Sequence, residues 1–211
     1  MGCSMGINRK FFFDVARADL FDGKFRQAQV DGLTAILDKW EQTSPQEDDR
    51  WLAYMLGTAH HETGRTMQPV RETFARSDES AIKRLNASYR AGRLSWVSRP
   101  YWEKDEQVKS WLGRGFVQIT HQYNYEKMSA ALGIDLVGRP DLAMDPVVAL
   151  EIIFQGMIRG LFTGKKLSNY FNPSKEDWKN ARRIINGVER ADLVGTYAKQ
   201  YYRAISYTTG A

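Results

Sequence analysis

Two histidines and a glutamate stand together at His60-His61-Glu62, and the third histidine follows a hydroxyl residue at Thr120-His121. Neighbouring residues on a helix point about 100° apart, so His60 and His61 cannot chelate one ion as an i, i+4 pair would, and neither a metal site nor any cofactor is expected. An acyl-enzyme nucleophile is also missing: there is no Gly-x-Ser-x-Gly elbow, and the single cysteine, Cys3, lies at the chain terminus. Carboxylates remain. Cleavage of a glycosidic bond needs one protonated carboxyl to help the leaving oxygen depart and a second, ionised, to activate water or stabilise the cation. Glu62 fits the first role if it ends a helix, because the negative pole of the macrodipole and packing beside Met55 and Ala59 both favour its protonated form. On position alone, an ordinary surface glutamate at a helix end accounts for it as well.

The elements that must position these residues can be read from periodicity. Ile7, Phe11, Val15 and Ala18 fall on one helical stripe, and Val30, Leu33, Leu37 and Trp40 on another, with Asp22-Gly23 marking the turn between them. Ser44-Pro45 reads as a cap and first-turn proline opening a third helix. It carries Trp51, Leu52, Met55, Leu56 and Ala59 inward and stops near Glu62, before Gly64. From Gly64 to about Gly115 the periodicity breaks down. Irregular structure and a short hairpin are expected there, with helical patches near residues 80–89 and 104–111. Phe116 to Thr120 is β-branched and aromatic but too short to anchor a sheet. Helices return over residues 124–132, 147–161 behind Asp145-Pro146, 175–185 and 192–205.

Bulk composition narrows the function classes. A chain of 211 residues, 43% hydrophobic and 26% charged, is long enough to bury a core and carries no disordered bias, so one compact domain over 1–211 is expected, with residues 1–6 as a disordered terminus. No repeat or linker sets off a separate module. One cysteine excludes a disulfide framework. Charged residues interrupt the phenylalanines of 7–25, so no cleavable signal is visible, and no apolar run reaches the length of a membrane span. A net charge of +5 suits an anionic partner: nucleic acid, an anionic membrane surface and a bacterial wall polymer fit equally.

A resemblance chooses among these. The string Ala59-His60-His61-Glu62-Thr63-Gly64 resembles the His-Glu-Thr/Ser-x-Gly signature of family-19 glycoside hydrolases, which comprise chitinases and many phage endolysins. Gly113-Arg114-Gly115-Phe116-Val117-Gln118-Ile119-Thr120, continuing to Asn124-Tyr125, is similar to that family's Gly-Arg-Gly-Pro-Ile-Gln-Leu-Thr/Ser block. Ile185-Asn186-Gly187 is similar to its late Ile-Asn-Gly turn, and the stretch from Arg139-Pro140 to Asp145-Pro146 matches the run before a late helix. Together these cover residues 50 to 190. The chain departs from the plant enzymes in lacking their disulfides and in carrying Phe116-Val117 and Val188, which points to the phage and bacterial branch.

The resemblance implies a mainly α, lysozyme-like α+β fold, a helical bundle with a small β-hairpin region beside the catalytic cleft. It implies Glu62 as general acid, with Gln118 and Thr120 lining the sugar site and Asn124 and Asn186 holding substrate or the attacking water. His61, Arg71 and Tyr123 complete the expected substrate contacts. For Asn124 a helix cap, and for Tyr125 a core position, are equally open. Glu72, ten residues after Glu62, is the expected second carboxylate, with Glu103 and Glu106 as alternatives; an inverting enzyme would hold the pair about 6.5–9.5 Å apart. Arg65, Arg71, Arg76 and Arg114 would attract the lactyl and peptide carboxylates of peptidoglycan. The expected function is therefore a monomeric endolysin cutting β-1,4 bonds of peptidoglycan glycan strands, with neither nucleic acid nor stable membrane insertion. It would be held in the host cytoplasm until holin-assisted release to the wall. A chitinase acting on chitin oligomers, or a non-catalytic glycan-binding protein, is the alternative.

Overall fold

The computed structural model describes residues 6–44 and 46–208. In chain order, β1 (Gly6–Ile7) leads into α1 (Arg9–Leu20), α2 (Gln27–Thr43) and α3 (Asp49–Glu62); β2 (Val70–Arg71) precedes α4 (Asp78–Arg90). Then come β3 (Arg114–Gly115), α5 (Gln122–Leu132) and α6 (Pro146–Arg159), followed by β4 (Phe171–Asn172), β5 (Lys175–Glu176), α7 (Ala191–Ala204) and β6 (Tyr207–Thr208). Helices dominate, and strands among the described residues form only antiparallel pairs of two, so the class is mainly helical α+β as expected.

The chain clusters into two compact units, one formed by residues up to Gln68 together with Met157 onward, the other by Pro69–Gly156. In the first unit α3 is the central helix. Its residues Leu52 through His60 are all buried, the all-round burial that marks a helix inside a core rather than on a surface. It crosses α7 at Gly57, where a methyl group would lie 2.7 Å from the Ala198 amide nitrogen, so only glycine permits this approach. Phe12 of α1 also packs on α7, stacking on Tyr201 with ring centroids 6.1 Å apart. Gly6 and Ile7 pair with Thr208 and Tyr207. Gly6, the last residue of the terminus expected to be disordered, is thus held in a strand, and the rest of that expectation, residues 1–5 with Cys3, lies outside the described residues.

The second unit is built on a cluster of Ala75, Ala81, Leu85, Trp102 and Leu112, with Tyr89 and Tyr101 packed at its edge. Ser77 caps α4 by accepting from the Ser80 amide at 3.2 Å, and Asp78 and Glu79 place negative charge on the first turn. Gly133, at φ 68°, ends α5, and Asp145 caps α6 by accepting from the Val147 and Val148 amides.

Several local expectations give way to competing interactions. The third helix starts at Asp49 with Asp48 as its cap, because α2 continues to Thr43 and Ser44 instead closes it by donating its amide to Trp40 O at 2.8 Å; Pro45 lies outside the described residues. Residues 104–111 are not helical. The Asp105 side chain accepts from the Gln107 and Lys109 amides at 2.9 and 3.0 Å, offering the backbone a local loop in place of a helix. Phe116 to Thr120 doubles back as a tight loop closed by the Arg114–Ile119 bridge, with Gln118 at φ 54°. Residues 175–185 split into β5, paired with β4, and a short 3₁₀ turn, Asn180–Ile184. The strand of Val70–Arg71 finds its partner not in a neighbouring hairpin arm but in Arg114–Gly115, far along the chain.

Candidate active site

In the first unit, Glu62 ends α3. The chain turns away at once: the Thr63 hydroxyl donates back to Ala59 O at 2.7 Å and accepts the Met67 amide at 3.0 Å, and Gly64 adopts φ 56°. Glu62 is no solvent-facing surface residue. Its side chain is 16% accessible, and Arg182, whose side chain is only 7% accessible, donates from Nη1 to its Oε1 at 2.5 Å. Arg182 is steadied in turn by its Nε bond to Glu189 O at 3.2 Å. This one charge-assisted bond holds a single carboxyl oxygen, and it sets a buried cation beside Glu62 where the sequence reading had placed only the helix pole and apolar packing.

His60 and His61 diverge as their helical spacing requires. His60 is core: its Nδ1 stands 3.0 Å from Tyr201 Oη, its ring packs on Phe21 and Tyr197, and burial pulls its pKa down to about 3. His61 stays half-buried beside Glu62. Burial lowers its pKa, and Arg182 and Arg190 add to this against the opposing pull of Glu62 and Glu189, so the ring is neutral at pH 7. Asn186 is exposed and its Oδ1 accepts the amide of Gly187 at 2.8 Å.

In the second unit, Glu72 lies at the first position of a short 3₁₀ turn whose next two residues, Thr73 and Phe74, adopt left-handed φ of 60° and 54°. Consecutive non-glycine residues in that region are strained, and such strain persists only where the surroundings enforce it. The enforcement is visible. The Glu72 amide donates to Gly113 O at 2.7 Å, the Gly113 amide returns a bond to Glu72 Oε2 at 2.8 Å, and Tyr101 Oη donates to Oε1 at 2.6 Å. Burial pushes the Tyr101 phenol above its ordinary pKa, and the bond to Glu72 and its charge push further, so the hydroxyl keeps its proton. His121 packs on Tyr101 at 4.2 Å between centroids. Glu103 and Glu106, the alternatives to Glu72, are both exposed.

Gly113 is the point on which this unit's polar groups converge. A methyl group there would lie 2.9 Å from Gln118 Oε1, 3.2 Å from Thr120 Cγ2 and 3.3 Å from Glu72 Oε2. Gln118 is locked by its Nε2 bonds to Val70 O at 2.7 Å and Gly115 O at 3.3 Å, leaving Oε1 as acceptor. Glu72, Gln118 and Thr120 are thus brought together.

The other expected residues of this unit are engaged in bonds of their own. Asn124 donates to Thr120 O at 2.8 Å, a bond back across the first turn of α5. Tyr125 is core, its hydroxyl donating to Leu112 O at 2.7 Å and accepting from Arg114. Tyr123 is 64% exposed and stacks beside His121. Arg71 and the buried Arg114 both clasp Asp78: burial alone would raise that carboxyl, but the two guanidiniums outweigh it and hold it below the ordinary carboxylate range. Neither arginine is free to recruit an anion, and Arg65 is paired with Asp22 at 2.7 Å.

Pattern reading missed Arg182 and Tyr101. Arg182 stands three residues before the Ile185-Asn186-Gly187 turn, and that placement was its only signal. Tyr101 carried none. Among the described residues no group of three or more His, Cys, Asp or Glu side chains is placed to hold a metal ion.

Comparison with known proteins places the chain in a family. The crystal structure of chitinase C from Streptomyces griseus HUT6037 is similar over the whole of this chain and 80% of its own, with a TM-score of 0.57 at 20% identity, which shows a shared fold. The class I chitinase model, glycoside hydrolase family 19, matches residues 43–183, and the chain belongs to that family. Chitinase 11 of Oryza sativa subsp. japonica is 38% identical over 94 residues, 36% of this chain and 35% of that protein. Endochitinase 4 of Solanum tuberosum is 46% identical over 44 residues, 20% of this chain and 15% of that protein. The matches therefore span about a third or less of the curated relatives' length.

Proposed function

We propose that this protein, acting as one catalytic domain, hydrolyses β-1,4 bonds of a polysaccharide built from N-acetylhexosamines, with Glu62 giving the proton to the leaving oxygen and Glu72 activating water. The observation that carries this reading is Glu72 itself, a carboxylate whose two oxygens are each held by a donor, Tyr101 Oη and the Gly113 amide, with Gln118 and Thr120 gathered at the same glycine. A base that must take a proton along one direction gains from such fixing. Amide and hydroxyl groups of Gln118 and Thr120 both suit sugar hydroxyls and acetamido groups. Chitin is the first substrate to test, since the matching family model is that of class I chitinases and the relatives quoted above are chitinases.

Peptidoglycan is the second reading, favoured by a net charge of +5 and a pI near 9.3, which suit an anionic wall and offer nothing to neutral chitin. On it the protein would act as a monomeric endolysin, kept in the host cytoplasm until holin-made lesions release it.

Reducing-end release from a chitin hexamer and from purified sacculi tests both. Glu62→Gln and Glu72→Gln each keep shape and should cost about 10²–10⁴ in kcat, the usual weight of general acid or base catalysis. Wild-type rates surviving either change would overturn that residue's assignment, and no release from either polymer would overturn the glycosidase reading.

A further inference from the structure

The loop that leaves α3 directly after Glu62 and the turn joining α1 to α2 line an open groove of about 680 Å³. Lys24, Arg26 and Arg65 bring three positive charges to it and Asp22 one negative, so the lining is positive by two. Arg65 is committed to Asp22, whereas Lys24 and Arg26 are exposed and have no ion-pair partner among the described residues. One wall is apolar: the rings of Phe21 and Phe25 stand 4.7 Å apart, and the Arg65 guanidinium lies over Phe21 at 5.9 Å.

This groove is built rather than incidental. Gln29 at the start of α2 donates to Arg65 O at 2.8 Å, and Gln68 donates to Ala28 O at 2.6 Å, so the two lining segments are stitched together. At Gly32 a methyl group would lie 1.8 Å from Met67 O, so the loop presses directly on the α2 backbone. Asp22, Arg65 and Met67 hold left-handed φ of 52°, 70° and 53° along these segments, a conformation non-glycine residues keep only under constraint. Gly64, a lining residue, is two positions after Glu62, so their Cα atoms are within about 7.6 Å.

We propose that this groove is a subsite for carboxylate-bearing substituents of the glycan, with Lys24 and Arg26 as the charge partners and the Phe21–Phe25 wall taking the apolar part of the substituent. The chemistry is that of a lactyl ether or of the peptide it carries, and it is absent from a neutral N-acetylglucosamine polymer. The groove would therefore separate the two substrates left open above. It rests on the glycan-hydrolase reading, and the test is arranged so that the two can fail separately.

Binding is measured by calorimetry on the Glu62→Gln protein, with and without Lys24→Gln and Arg26→Gln, using a disaccharide tetrapeptide from bacterial wall and a chitin hexamer. Loss of two exposed charge contacts should weaken tetrapeptide binding about tenfold while hexamer binding is unchanged. Equal affinity for the tetrapeptide in both proteins, equal losses for both ligands, or no tetrapeptide binding at all would overturn the subsite, whether or not the enzyme proves active. Repeating the measurement with the peptide-free disaccharide, whose lactyl carboxyl is free because no peptide amide consumes it, names the position read: a charge effect there assigns the groove to a carboxylate at the lactyl position, and its absence assigns the groove to the carboxylates farther along the peptide. In the otherwise unaltered enzyme, Lys24→Gln with Arg26→Gln should slow release from sacculi and leave the hexamer rate as it was.

Discussion

At the scale of single residues, the fixing of Glu72 has a measurable price. Tyr101→Phe removes one of its two donors and nothing else from the ring. A bond to a charged acceptor contributes about 1.5–3 kcal/mol, so kcat should fall by about tenfold or more with KM little changed. A rise in KM alone would show that Tyr101 lines the sugar site rather than orienting the base. His60 makes a different prediction, one about stability. Its folded pKa of about 3 lies below the ordinary 6.5, so between those values the unfolded chain binds a proton that the folded chain does not. Stability therefore falls as pH drops from 6.5 toward 3, by up to about 1.4 kcal/mol per unit, and is independent of this group above 6.5. Urea midpoints between pH 4 and 7 should show the slope, and His60→Phe should flatten it; an unchanged slope would place the acid sensitivity elsewhere.

At the scale of elements, the α3–α7 crossing positions the candidate acid. Gly57→Val should destabilise by about 2 kcal/mol or more, despite valine's better helix propensity, since the new side chain meets the Ala198 backbone. Ala198→Gly should fail to rescue it in thermal melts, because the Ala198 amide and Cα, not only its methyl group, stand in the way. The end of α3 at Glu62 was legible in sequence from Gly64, α6 from its Asp145-Pro146 start, and α4, α5 and α7 overlap ranges read as helical. Residues 104–111 were not, because one aspartate side chain outbids the helix for the backbone amides, and such local competition leaves no trace in hydrophobic periodicity.

For the whole molecule, the excess of positive charge predicts salt dependence without fold dependence. Raising ionic strength from about 20 to 300 mM shortens the screening length from roughly 20 Å to about 6 Å, so action on anionic sacculi should drop several-fold while the neutral hexamer is cleaved at a steady rate. Equal salt responses on both polymers would mean that the net charge plays no part in choosing the substrate.

Short-range features were readable from the residues alone: helix stripes, caps, the glycine after Glu62, and the order of the motifs that mark family 19. Those signals sit within a few residues of each other, where propensity and spacing act directly. Which groups hold the carboxylates depends on contacts between residues far apart in the chain. Arg182 reaches Glu62 across 120 positions, Tyr101 reaches Glu72 across 29, and the Gly113 amide reaches it across 41. The same folding took Arg71 and Arg114 out of the anion-binding role their type suggests, by closing both on Asp78. A side chain's type names the bonds it can make, but its partner is chosen by packing among residues remote in the chain, and that choice separates a glutamate poised for chemistry from one that faces water.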